Sequence, residues 1–431
     1  MSRSVLAICF FLTVLLGVAL YRPRDAGRAG VVHLVYWTGW AGHEFDVQKE
    51  LVDEFNRAHP KIQVKILSVG GSYEKVHIAF ATQSTPDICS AVWADELPAY
   101  AQYGVLTPLD GYLRASGRSM AAYAPGVRKM LSYDGHVYGL CATINTEFIF
   151  YNKDIFRKCG LNPDDPPRTI AQLDADAAAT TLRNPDGSYQ REGFVPAGLK
   201  DWARVFGGRW YDPATHRITA DDPRNVAALR WMVMYSKKYD IDRLDAFEQT
   251  FGAQQSDNGP FYVGKQAMWP AGEWAEAMLR RYAPSLHYGY FAFPSPPGGL
   301  TDATFIDGSV FVIPQACPHK RQAWEFLDWI TRPHAVSQFC GRLGNLPPLT
   351  AVQRTATFQD NPVLKFAGKL AAGKNAYGPP PAPIWPEYSD AITRVEDDAM
   401  HGEGDPRQLL DALTVKMQAE LDRMTQGEAR G

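Results

Sequence analysis

A chain of 431 residues is too long for one core, since single cores rarely keep growing beyond about 250 to 300 residues, so two domains are expected. Forty-seven acidic against forty-four basic side chains leave a formal charge of −3, and no basic stripe runs along the chain to track a phosphate backbone, which argues against nucleic acid as a partner. Six cysteines without a CxxC pair or any short ligand spacing provide no metal framework, and no cofactor is expected.

Arg3, the apolar run Val5 to Leu20, and polar Arg22, Arg24 and Asp25 have the layout of an export signal. The run is only slightly shorter than a minimal membrane span of about 17 residues, so it is either cleaved near Gly17-Val18-Ala19 or kept as an anchor on residues 1–30. Cys9 lacks the small residue before it that lipid modification uses. A buried first helix of a cytosolic protein is the alternative, disfavoured by the polar linker that follows.

Val31 to Trp37 reads as a buried strand, rich in β-branched and aromatic residues. A helix from Asp46, its expected cap, carries Val47, Leu51, Phe55 and Ala58 on one face and stops at Pro60. Ile62 to Val69 alternates as a second strand, and Gly70-Gly71-Ser72 leads into a helix with Tyr73, Val76 and Phe80. Pro86-Asp87-Ile88-Cys89 opens a third strand ending near Trp93, which completes a βαβαβ lobe with an expected parallel sheet. Phe148 to Tyr151 and Phe261 to Met268 read as strands, Thr169 starts a helix, and Asn184-Pro185-Asp186-Gly187 is a turn. A helix from about Pro223 to Lys238 is followed by a strand at Ser309 to Ile313 and by a helix from Arg321 to Phe339 that Pro333 splits. A proline cluster from Pro379 to Pro386 precedes the last helices, the final one covering Leu409 to Met424.

Ligands of open α/β sheets bind beyond the carboxyl ends of strands. Trp37, Trp40, Tyr73 and Trp93 with Asp95 and Glu96 fall there, as do Trp202, Trp269, Trp274 and Trp385 by the same reasoning. Indole faces beside carboxylates match a sugar, whose C–H face stacks on a ring and whose hydroxyl rim needs orientable acceptors. Trp231, Trp324 and Trp329 lie within helices and read as core. A secreted glycoside hydrolase would use the same groups, with two of Asp95, Glu96, Asp307 and Glu387 held about 5 to 9 Å apart. Gly259-x4-Gly264-Lys265 lacks the hydroxyl of a phosphate loop and reads as a turn, and no GxSxG or HExxH motif occurs. No catalytic residue and no metal ligand is assigned.

Several segments in this order carry a resemblance: Leu51-Val52-x-x-Phe55-Asn56-x-x-His59-Pro60, Pro86-Asp87-Ile88, Tyr100-Ala101-x-x-Gly104-x-Leu106-x-Pro108-Leu109-Asp110, Tyr151-Asn152-Lys153, Lys265-x-Ala267-Met268 with Gly272-x-Trp274, and Asp307-Gly308. Over nearly the whole mature chain it resembles the extracellular solute-binding proteins of bacterial ABC importers, in the carbohydrate-binding family that includes maltose-binding protein. The resemblance implies a type II periplasmic-binding-protein-like α/β fold with a ligand cleft between two lobes. Lobe one would take 31–139 and 306–360, and lobe two 140–305 and 361–431. It implies a monomer outside the cytoplasmic membrane, or tethered to it, that hands a sugar or polyol to permease subunits by lobe closure. Trp93, Asp95 and Glu96 would face the cleft from lobe one, Trp274 and Trp385 from lobe two, with Asn145, Asp307 and Arg342 as further contacts. Trp274 would be the principal stacking platform. Trp269-Pro270 departs from the family's less bulky pair, which bears on ligand size.

Overall fold

The computed structural model describes residues 30–70, 72–251 and 257–428. The apolar segment from Val5 to Leu20, with its cleavage and anchoring alternatives, lies outside the described residues. Among the described residues, no helix is long and apolar enough to cross a membrane.

Strand β1 (Val32–Thr38) is followed by helix α1 (Gly42–Ala58), β2 (Ile62–Ser68), α2 (Tyr73–Ala81), β3 (Ile88–Cys89) and the short α3 (Leu97–Gln102). Strand β4 (Gly139–Cys141) ends this stretch. Helix α1 begins four residues before the expected cap Asp46, which lies inside it; Ala41 precedes the helix without a side-chain cap. Val47, Leu51 and Phe55 are buried at the helical spacing, and Pro60 limits the helix as expected.

The chain then enters β5 (Asn145–Asn152), α4 (Leu199–Val205), α5 (Pro223–Tyr239), β6 (Met268–Gly272), α6 (Ala275–Tyr282), β7 (Tyr288–Phe291) and β8 (Thr304–Asp307). It returns through β9 (Val310–Val312), α7 (Lys320–Ile330) and α8 (Pro333–Leu343), and finishes in β10 (Ala376–Tyr377), α9 (Trp385–Met400) and α10 (Pro406–Glu428). Pro333 is the first residue of α8, where a missing N–H costs nothing, so the expected split is a clean break between two helices. The strand expected over Phe261 to Met268 starts only at its last residue: the preceding segment is a run of turns with Gly264 at φ +71°.

Two five-stranded sheets organise these elements. The first has the order β2-β1-β3-β9-β4. Its β1, β2 and β3 are parallel, but β9 runs antiparallel to β3 and β4, so the sheet is mixed rather than all parallel. The reason is topological: β9 does not arrive by a crossover helix but leads straight on from β8, two residues earlier in the other sheet. The second sheet has the order β6-β5-β8-β10, with β7 also paired to β5. The chain therefore passes between the sheets at 141–145 and again at 307–310.

Among the described residues five cysteines are free thiols, four of them buried. The capping box at Thr169, whose hydroxyl accepts from Gln172 N while Gln172 reaches back, starts the helix Ile170–Thr180 where the sequence places it. Asn184 to Gly187 turns the hairpin between Leu182–Arg183 and Tyr189–Arg191, with Gly187 at φ +84°.

Candidate functional site

A cavity of about 840 Å³ lies between the two sheets' lobes. Ala94, Asp95 and Pro98 line it from the end of β3 and the start of α3, and Asp307 from the end of β8. Glu147 enters from β5, and Lys200, Asp201 and Arg204 from α4. Trp210, Tyr211, Tyr377, Pro379 to Pro381 and Trp385 complete an aromatic and proline-rich wall.

Helix α4 shows how local sequence aims charge into this space. Leu199, Trp202, Ala203 and Val205 are buried, leaving Lys200, Asp201 and Arg204 on the remaining face. The helix has no side-chain cap of its own, because Gly198 precedes it in the left-handed region at φ +84°. The carboxylate of Glu396, from α9, takes the cap's place and accepts from Gly198 N (2.8 Å) and Leu199 N (2.7 Å). Lys200 Nζ donates to Ser389 Oγ at 2.7 Å, Tyr377 Oη donates to Asp201 Oδ1 at 2.9 Å, and the Arg204 guanidinium lies 5.1 Å from the Tyr377 ring centre. Trp210 Nε1 donates to the Lys200 carbonyl at 3.1 Å, which ties the aromatic wall to the helix.

Four interior carboxyls, Asp95, Glu147, Asp201 and Asp307, share the cavity, and none is in a salt bridge among the described residues. Burial raises each above the usual carboxylate range, and repulsion from a neighbouring acid adds to it. Glu147 is pushed up to about 8, by desolvation and then by Asp201 and Asp307, against the pull of Lys200. Asp307 is pushed up to about 7 by desolvation and then by Asp95, while Gly308 N donates to its Oδ1 at 2.7 Å. Asp95 and Asp201 are raised too, both mainly by desolvation, and Asp95 Oδ1 is buried without a hydrogen-bond partner among the described residues. Exposed Lys129, Asp134, Arg209 and Lys374 sit at the rim. The site thus offers stacking faces, acceptors that need donors, and two interior cations. Among the described residues, no His/Cys/Asp/Glu group is arranged to hold a metal.

Of the residues singled out from sequence, the structure brings Asp95, Asp307 and Trp385 to this cavity. Asn145 is the register partner of Asp307 across β5 and β8, one strand removed. Trp93 bridges Ser309 at the end of the first sheet, next to the cavity-lining Ala94 and Asp95 without lining it. The other expected contacts lie outside this cavity's lining. Glu96 is spent inside lobe one: its Oε2 accepts from Trp93 N at 2.9 Å and its Oε1 pairs with His77. Trp269 is 4% exposed and packs among Phe150, Phe261 and Tyr262, because both faces of β6 are covered. Arg342, in the last turn of α8, points along the surface to Glu50 of α1 at 2.6 Å. Trp40 packs edge-on against Phe339 at 5.9 Å, and Tyr73 is exposed at the start of α2; neither lines the cavity. Trp202 is fully buried, against Trp231 and Phe293.

Trp274 does not line the cavity either. Its indole turns back over Gly272, where a Cβ would lie 2.3 Å from Nε1, and meets Trp269 edge-on at 5.9 Å. Trp274→Ala is therefore expected to lower apo stability by about 2 kcal/mol, less than the 3 to 5 kcal/mol typical of a fully buried indole, and to leave sugar affinity within about threefold. Urea unfolding and calorimetric titration of the variant separate the two, and a thirtyfold loss of affinity at unchanged stability would restore the platform role.

Glu147, Lys200, Asp201, Arg204, Trp210 and Tyr377 were missed by sequence reasoning. The one available signal was the α4 pattern, charged residues at i, i+1 and i+4 opposite a buried face after a glycine.

A family model described as a bacterial extracellular solute-binding protein matches residues 50–365. A solved structure, CpMnBP1 with mannotriose bound, is 29% identical and superposes with a TM-score of 0.80 over 90% of this chain and 100% of that one. The maltotriose-binding protein of Pyrococcus abyssi is 24% identical over 93% of this chain and 84% of its own length. The sn-glycerol-3-phosphate-binding periplasmic protein UgpB of Yersinia enterocolitica is 24% identical over 95% of this chain and 97% of its own.

Proposed function

The chain belongs to the bacterial extracellular solute-binding proteins, and on that premise we propose that it captures a short neutral oligosaccharide in the interlobe cavity and delivers it to an ABC importer by lobe closure. It is a two-lobed binding protein of sugar import rather than an enzyme, working outside the cytoplasmic membrane as its family does. The observation that carries the sugar reading is the cavity wall: Trp385, Trp210 and Tyr377 beside four carboxyls that lack cationic partners within salt-bridge distance among the described residues. Hydroxyl groups supply the donors these acceptors need, and ring faces accept the C–H side of a sugar.

A phosphorylated ligand is disfavoured, because its charge would meet Asp95, Glu147, Asp201 and Asp307 against only Lys200 and Arg204 in the interior. A volume of 840 Å³ has room for more than one sugar ring. Because the 29% identical CpMnBP1 binds mannotriose, manno-oligosaccharides are the first compounds to try.

In this reading lobe one comprises 31–139 and 306–360, lobe two comprises 140–305 and 361–431, and the passages at 141–145 and 307–310 serve as hinge strands. Ligand contacts from both lobes favour the closed state, which the permease reads. In this reading the N-terminal segment directs export, and the protein is then either free or tethered outside the membrane.

Thermal-shift and calorimetric screening should show binding of mannobiose, mannotriose or maltotriose and none of sn-glycerol 3-phosphate. Recovered sugar should be chemically unchanged after prolonged incubation. A stronger response to the phosphate ester than to every neutral sugar would sink the assignment.

A further inference from the structure

Glu273, between the end of β6 and the start of α6, is a buried carboxyl that takes no part in the ligand cavity; it is 1% exposed. Its Oε2 accepts from the Thr146 N–H at 2.9 Å and from the Thr146 hydroxyl at 3.2 Å. The backbone N–H of Leu346 faces the same carboxyl and favours its ionised form. Gly272 makes this reach possible. A Cβ there would lie 3.0 Å from the Thr146 carbonyl oxygen, so the missing side chain lets the turn after β6 approach β5 closely.

These partners belong to different parts of the junction between the lobes. Thr146 is the residue directly after the passage at 141–145, and it pairs with Ile306, just before the passage at 307–310. The two passages touch: a Cβ on Gly308 would lie 2.7 Å from the Thr143 carbonyl oxygen. Leu346 belongs to lobe one in the division above. Its carbonyl accepts from Ile144 N at 3.0 Å and from Thr143 Oγ1 at 3.2 Å, and Cys340 Sγ donates to the Ala142 carbonyl at 3.1 Å. Leu346 therefore holds the first passage through its carbonyl while its N–H faces a carboxyl of lobe two. Neither Thr146 nor Leu346 lines the ligand cavity.

We propose that Glu273 is a positioning residue of the hinge: its carboxylate keeps β5 and the Leu346 segment at a fixed spacing, so that the lobes rotate about a defined axis. The proposal rests on the lobe-closure reading above. Without this acceptor the buried Thr146 N–H and hydroxyl lose their partner, and the hinge loosens. Closing the lobes on a ligand must then order the hinge as well, which weakens binding although no ligand contact is lost.

The test compares the full wild-type chain with Glu273→Gln and Thr146→Val. The glutamine keeps the shape but turns an NH2 group toward donors, and the valine removes the hydroxyl alone. Backbone hydrogen exchange of the empty protein should quicken at 141–146 and 307–310 in both variants, with β1 and α5 unchanged. Calorimetric titration with mannotriose and maltotriose should show the trisaccharide that binds held about tenfold more weakly by Glu273→Gln and about threefold more weakly by Thr146→Val. Unchanged exchange at the two passages, or unchanged affinity, in folded variants overturns the proposal. So does exchange that rises evenly through lobe two, the behaviour of an ordinary core group. If Glu273→Gln does not fold, Thr146→Val decides by the same criteria. If neither sugar binds the wild type, the sugar reading falls by itself, and exchange at the passages alone decides the role of Glu273.

Discussion

Replacing Trp385 with alanine should abolish sugar binding at concentrations that saturate the wild type and should cost about 3 to 5 kcal/mol of apo stability. Trp385 carries both burdens because of where it sits. It is 5% exposed and packs edge-on against Tyr388 at 5.5 Å, yet part of its indole lines the ligand cavity. It is the first residue of α9, shortly after the prolines Pro379 to Pro381 that also line the cavity, so the ring is delivered by a stiff approach and a helix start. Proline follows it at Pro386, within the first turn, where it suits the helix. Alanine alone cannot separate lost stacking from lost packing. Trp385→Phe keeps a ring and should bind roughly tenfold more weakly, whereas Trp385→Leu keeps apolar volume without a flat face and should recover part of the stability but not the affinity. Titrations are to be run on each variant below its own melting temperature. An alanine variant that is folded by circular dichroism and binds as the wild type does would remove Trp385 from the site.

How far the sequence reaches is clearest residue by residue. The alternation of strand and helix from Val32 to Cys89 was legible because each element carries its own period and a proline or glycine closes it. Strand β9 was placed correctly but its direction was not, since three residues, Val310–Val312, hold no information about which neighbour they pair with. Trp385 could be found because it stands near Glu387 after a proline run and matches a cleft position of the resembling family. Trp269 and Trp274 could not be told apart: they lie five residues apart around one short strand, and only the covering of both faces of β6 shows that the first is core and the second folds back on it. Glu96 looked like a cleft acid because its partner His77 is nineteen positions away on another helix. Lys200, Asp201 and Arg204 stayed hidden for the opposite reason. A charged helix face is ordinarily solvated, and it becomes a cavity wall here only because the other lobe stands across from it.

Stability and affinity should run in opposite directions with pH. Glu147, Asp307, Asp95 and Asp201 all have native values above their unfolded ones, as do buried Glu273 and Glu192 in lobe two. A carboxyl raised on folding stabilises the native state fully below its unfolded pKa, about 4, and that contribution is lost as pH rises through the native value, here toward about 8 for Glu147. Surface carboxylates shifted the other way, such as Asp154, Asp164 and Asp186, act only as pH falls through about 4 and below. The apo protein should therefore melt higher at pH 5.5 than at pH 8, by roughly 3 to 8 °C if two pK units in all separate the native from the unfolded carboxyls. Ligand reverses the sign. Sugar hydroxyls donate to carboxylates and so favour the ionised forms that the empty cavity disfavours, with Lys200 and Arg204 the only interior cations to help them among the described residues. Binding should release protons, and affinity should rise by about tenfold from pH 5.5 to pH 8, one pK unit of coupling. Calorimetric titration at pH 6.5 in two buffers of different ionisation enthalpy counts the protons directly, and Glu147→Gln should reduce both the release and the apo stability slope. Net proton uptake, or an affinity that falls as pH rises, would mean that the cavity carboxyls meet the ligand as neutral donors, and the acceptor role assigned to Glu147 and Asp307 would have to be given up.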